Sequence, residues 1–135
     1  MSVLDLNLEK YEEPVVVESG EYLLTLSALQ LKTSSDGNKY FSAAFDVTER
    51  PEAASVFHIF MLPDDKHDAK VVNAWGLNLR KFFQSFDIDY KTLKLDKDDK
   101  AIGIRGKKGW AFLAIEEDPE YGTRNVVKRI IVPKR

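Results

Sequence analysis

The chain has no cysteine among its 135 residues. That excludes disulfides, thiolate zinc sites and a thiol nucleophile, and it suits a reducing cytoplasm. Histidine is nearly as scarce, with two residues. His58 lies inside an apolar alternation and His67 near the start of a helical pattern, and no third ligand follows at metal spacing. No metal and no cofactor is expected. No apolar run approaches the roughly 20 residues that cross a bilayer, and no membrane partner is expected. The opening "MSVLDLNLEKYEEP" lacks the basic start and apolar stretch of a signal peptide. GxSxG, GxxxxGKS/T and HExxH are all missing. "GIRGKKG" (103–109) is glycine-rich and basic, but it leads into a strand, so it has no helix N-terminus to hold a phosphate. Paired acids such as Asp64/Asp65 and Glu116/Glu117 are a weak basis for acid–base chemistry on an acid-rich surface. The expectation is a protein that is not an enzyme.

Hydrophobic residues make up 44% and charged residues 31%, the profile of one folded domain. The net charge of −2 hides a split. Residues 1–100 carry 12 Lys+Arg against 18 Asp+Glu, and residues 101–135 carry 8 against 4. A partner feels that local field, although lysines on an edge strand also serve simply to block aggregation.

Residues 1–20 form an acidic arm, with Pro14 and Gly20 as breaks, and "VLDLNLE" alternates as part of a strand would. The domain proper is expected over 21–135. "EYLLTLSALQL" (21–31) suits a buried strand, and "KTSSDGNK" is turn chemistry. "YFSAAFDVTE" (40–49) alternates, with Phe41, Ala43, Phe45 and Val47 on one face. "SVFHIFML" (55–62) sets Val56, His58 and Phe60 opposite Phe57, Ile59 and Met61. The period then changes. Over 63–87, apolar residues fall at Val72, Trp75, Leu79, Phe82 and Phe86, the stripe of a core-facing helix capped by Asp64 or Asp65. Trp75 is expected to anchor the core, and Gly76 suggests close packing. Residues 87–100 are a charged connector. "KGWAFLAIEED" (108–118) and "RNVVKRIIVPK" (124–134) are the last two strands, joined by "PEYGT". Three strands, a helix and two strands predict a mainly β fold: a five-stranded, OB-fold-like Greek-key barrel with one helix between strands 3 and 4.

The last hairpin carries the chemistry. Ala111, Leu113 and Ile115 have the better claim on the interior, which leaves Trp110 and Phe112 on an outer surface; a tryptophan there can also plug a barrel end. Arg105, Lys107 and Lys108 precede Trp110. Tyr121, Arg124, Asn125, Lys128 and Arg129 follow across the turn. Lys32, Lys39 and Tyr40 repeat the theme around the first hairpin. Cations beside flat rings are what single-stranded nucleic acid needs, phosphates for the one and bases for the other, with little sequence preference. His58 and Phe60 are further candidates, and Phe60 fits the core equally well. The same tryptophan, tyrosines and arginines would also serve a protein-interaction module.

"SGEYLLTLSALQLKTSSDGNKYFSAAFDVTE", "LRKFFQSFDID" and "GWAFLAIEEDPEYGTRNVVKRII" resemble the opening, helix end and last hairpin of phage-encoded OB-fold single-stranded DNA-binding proteins. The resemblance spans about residues 14–134. It implies protection of single-stranded DNA during phage replication or recombination in the bacterial cytoplasm, with phage replication or recombination proteins as further partners. The chain departs from that pattern in its basic "RIIVPKR", where several such proteins end in an acidic recruiting tail. The acidic arm is the remaining candidate for competing with DNA or meeting partners.

Overall fold

The structure is a computed structural model, and it describes residues 5–120 and 122–132. Five long strands form one antiparallel sheet: β1 (Gly20–Thr33), β2 (Lys39–Val47), β3 (Val56–Met61), β6 (Lys108–Asp118) and β7 (Gly122–Ile131). Their order across the sheet is β3-β2-β1-β6-β7. One helix, α1 (Ala69–Ser85), follows β3. Two short strands, β4 (Lys94–Leu95) and β5 (Ala101–Ile102), pair with each other inside the stretch expected to be a plain connector. Among the described residues no helix is long and apolar enough to cross a membrane.

The alternation read along β2 is the one that folds. Phe41, Ala43, Phe45 and Val47 are buried, and they meet Leu24, Leu26 and Leu29 of β1, Val56 and Phe60 of β3, and Ala111 and Leu113 of β6. β1 is the central strand and carries a bulge between Leu26 and Ala28. Before the bulge its second edge pairs with β6, and beyond it the 99–107 segment takes that edge. Leu31 N–H donates to Asp99 O at 2.8 Å and Gly106 N–H to Leu26 O at 2.9 Å.

The closed barrel expected from the strand order is not formed. Among the described residues no ladder joins the outer strands β3 and β7. Helix α1 bridges their edges instead. Phe82 stacks on Phe60 of β3 with ring centroids 4.3 Å apart, and Ser85 Oγ donates to Ile131 O of β7 at 2.9 Å. A phenylalanine cluster thus fills the seam, with Phe82 also against Phe45 and Phe86.

The helix starts later than its pattern suggests. Its N-cap is Asp68, which accepts from Lys70 N–H at 3.3 Å. Asp64, expected to cap, closes a preceding turn by accepting from Lys66 N–H at 2.9 Å and His67 N–H at 3.1 Å. Only the C-terminal half of α1 reaches the core, through Phe82 and Phe83 and then Phe86 just beyond its end. Trp75 is therefore half-buried and edge-on to His67 at 4.9 Å, not a core anchor. A Cβ added at Gly76 would meet Pro63 at 3.6 Å, ordinary van der Waals contact, so close packing does not require the glycine. Residues 5–7 of the arm form no strand; Leu8–Lys10 are a 3-10 turn, and Met1–Leu4 lie outside the described residues.

Gly109 is the glycine whose missing side chain matters. A Cβ there would sit 2.6–2.9 Å from three carbons of the Phe86 ring. Phe86 is fully buried against Phe45 and Phe82, so it has nowhere to yield. Gly109→Ala is expected to lower unfolding free energy by about 1–3 kcal/mol, read as a shift in denaturation midpoint.

Candidate nucleic-acid interface

Sheet geometry sorts the candidate residues. Side chains that pair across neighbouring strands share a face. On the outer face the register gives successive rows: Met61, Tyr40 and Lys32; Ile59, Ser42 and Gln30; Phe57, Ala44 and Ala28. The next row runs Asp46, Thr25 and Lys108. The middle of this surface is therefore paved with small side chains. Phe57 and Ile59 stand up at its β3 edge, 66% and 56% exposed.

The opposite edge is basic. Past the β1 bulge, Gln30 bridges to Lys100, and a shallow hollow is lined by Ser27, Ala28, Gln30, Lys100 and Arg105. Among the described residues Lys32, Lys100, Arg105 and Lys108 form no ion pair. This face also carries acids: Asp46 accepts from Ser55 Oγ at 2.9 Å, Glu21 lies level with Phe112, and Asp96 accepts from Lys100 N–H at 3.0 Å. The result is a shallow track with Phe57 and Ile59 on one side and unpaired cations on the other.

The structure divides the residues singled out from sequence. Lys32 and Tyr40 lie on the outer face, with Lys39 exposed beside them. Arg105 and Lys108 flank the track. Lys107 is committed elsewhere, since its Nζ donates to Asp87 O at 2.9 Å, just past the end of α1. Trp110 is 44% exposed and does face outward, between Leu23 and Ile131. Its hollow also holds Glu21 and Glu49, which repel phosphate. Phe112 faces outward as expected, with the Arg129 guanidinium 4.6 Å above its ring. Arg124 pairs loosely with Glu116 and Asp118, at 3.5 and 3.7 Å, so part of its charge is cancelled. Lys128 is exposed at the seam. Tyr121 lies outside the described residues.

Two candidates are buried. Phe60 is 2% exposed and stacked on Phe82, so no base can reach its face. Asn125 is buried, and its carboxamide holds the arm: Oδ1 accepts from Val17 N–H and Nδ2 donates to Val17 O, both at 2.9 Å. Ile115, expected inside, is exposed because β6 has by then run past the core.

Phe57 and Ile59 are what sequence reading missed. Their alternation against His58 and Phe60 was visible, but both faces of that strand are apolar, so alternation could not say which was inside. The useful signal was Phe41, Ala43 and Phe45 on the neighbouring strand, whose partners had to be Val56, His58 and Phe60.

His58 faces inward at the seam, edge-on to Phe60 at 4.6 Å. Burial pushes its pKa below the ordinary value. The unfolded chain thus binds a proton that the folded chain resists. Stability from this group is complete above about pH 6.5 and is lost as pH falls below it toward the folded value. Melting temperature is expected to drop between about pH 7 and about pH 5.5, and His58→Leu to shrink that drop.

Among the described residues no group of three His, Asp or Glu side chains comes together to hold a metal ion. No protein-family model matches the chain, and no curated protein matches it.

Proposed function

We propose that this protein binds single-stranded DNA along the outer face of β1, β2 and β3, with little sequence preference. One observation carries the reading: Phe57 and Ile59 stand exposed beside a floor of Ala28, Ser42 and Ala44, with Lys32, Lys100, Arg105 and Lys108 along the margin. Bases would lie on Phe57 and Tyr40, and phosphates would follow the cations. The order β3-β2-β1-β6-β7, with its helix between the third and fourth long strands, supports an OB-type architecture opened along one seam. In that fold the second and third strands form the binding face. The phage replication or recombination setting is part of this proposal and rests on the sequence resemblance.

The test is fluorescence anisotropy of labelled oligo-dT across a salt series. Four phosphate contacts give a slope of log affinity against log salt of about −3 for a single strand. A fourfold rise in salt should then weaken binding roughly 50-fold. Lys100→Gln/Arg105→Gln should flatten the slope by about 1.4. The absence of binding at low salt would remove the proposal. The exposed apolar pair Phe57 and Ile59 would then favour the protein-interaction reading, for which a partner's affinity should hardly respond to salt.

A further inference from the structure

The seam between β3 and β7 holds a cavity of about 180 Å³, separate from the outer face. Three elements line it: His58 and Phe60 from β3, Asn78 and Lys81 from α1, and Lys128 and Arg129 from β7. Among the described residues no carboxylate lines it, although acids outnumber bases in the chain. Three cations around one hollow with no counter-charge make a local field that selects anions. Among the described residues neither Lys81 nor Lys128 has an ion-pair partner. Arg129 is partly engaged over Phe112.

The backbone reinforces this. Across β6 and β7, Leu113 pairs with Val127 and Phe112 with Arg129, so Lys128 is the extra residue of a bulge. A bulge re-aims a side chain that regular pairing would have placed differently. Here it sets Lys128 at the cavity opposite Lys81 of α1. The hollow has room for a phosphate group.

We propose that this seam cavity is a phosphate-binding subsite, with Lys81, Lys128 and Asn78 donating to the phosphate oxygens. The proposed DNA binding bears only on the source of that phosphate, the terminal phosphate of a bound strand. A phosphomonoester carries up to two charges and suits three cations better than an internal diester does. His58 reports occupancy. Burial holds its pKa below the ordinary value; Lys81 of α1 and Lys128 and Arg129 of β7 line the same cavity, and Ala43, paired with it on β2, carries no charge. An anion beside it favours the protonated ring.

The chain has two histidines, which makes the readout simple. Imidazole NMR signals are followed while inorganic phosphate is added at constant ionic strength. The His58 signal should shift and saturate while the His67 signal stays put. Lys81→Gln/Lys128→Gln should abolish the shift without lowering the melting temperature. A silent His58, or a shift the double variant retains, overturns the subsite. Oligo-dT with a 5′-phosphate, a 3′-phosphate or neither identifies the source. Several-fold tighter binding of one phosphorylated form, lost in the double variant, supports a strand end. Equal binding of all three, with phosphate still shifting His58, supports free phosphate as the occupant. Phosphate binding without oligonucleotide binding upholds the subsite and removes the proposed function. Oligonucleotide binding with a silent His58 does the reverse.

Discussion

Phe57→Ala is expected to weaken oligo-dT binding by about 5- to 150-fold while barely moving the unfolding midpoint. The first figure follows from base–aromatic stacking at about 1–3 kcal/mol per base, with each 1.4 kcal/mol a factor of ten. The second follows from the exposure of Phe57 at 66%: a side chain already in water has little packing to lose. Phe60, three residues along the strand, should behave oppositely. Phe60 is 2% exposed and stacked on Phe82, so Phe60→Ala should cost about 3–5 kcal/mol of stability. At temperatures where that variant stays folded, its affinity should hold. Trp110→Ala gives a third comparison. The ring shares its hollow with Glu21 and Glu49, so its loss should change binding far less than loss of Phe57. If Phe57→Ala bound normally and Trp110→Ala did not, the track would lie on β6 and not on β2 and β3.

The contrast between Phe57 and Phe60 also marks how far the sequence could be read. Strands with one apolar face were legible to within about two residues, β2 and β6 above all, because burial on one side imposes a period of two. The helix was legible for the same reason at a period near 3.6. Its first turn was not, since Asp64, Asp65 and Asp68 are all competent caps and only tertiary position chose Asp68. β4 and β5 were invisible because two-residue strands have no period. The open seam was invisible because strand order does not say whether the outer strands bond to each other or to a helix between them. Site residues suffered from a simpler fact. Charge and ring type are readable, but partners are not. Lys107 is held by a backbone carbonyl, Arg124 by carboxylates and Asn125 by Val17, and none of these pairings has a local signature.

Asn125 gives the second large expected effect. It was a plausible nucleic-acid contact as a polar residue in a basic strand. In the fold its carboxamide acts as a short piece of strand, accepting from the Val17 N–H and donating to the Val17 carbonyl, with a further bond to Ala114 O at 3.3 Å. Val17 is 1% exposed, so the acidic arm ends inside the core. Two residues earlier the arm is pinned again, where Val15 N–H donates to Glu52 O and Val15 O accepts from Ala54 N–H, both at 2.9 Å. Asn125→Ala strands a buried N–H and a buried C=O, each at about 1–3 kcal/mol, and loosens the seat of Val17. The expected loss is about 2–4 kcal/mol, with a melting temperature lower by roughly 10 °C. Asn125→Asp should not rescue it, because a carboxylate can accept from Val17 N–H but cannot donate to Val17 O, and it buries a charge. Amide exchange at Val17 should rise in both variants before exchange in β1 does. Val17→Ala combined with Asn125→Ala should cost less than the two single changes added together, because each removes part of one anchorage. Additive costs would mean that the bracket and the buried valine act independently. Unchanged stability with lost DNA binding would return Asn125 to the interface. The same anchorage decides how the arm's acids should be tested: deleting residues 1–19 removes a core residue, whereas Glu9, Glu12 and Glu13 are exposed and can be changed to glutamine without disturbing Val17.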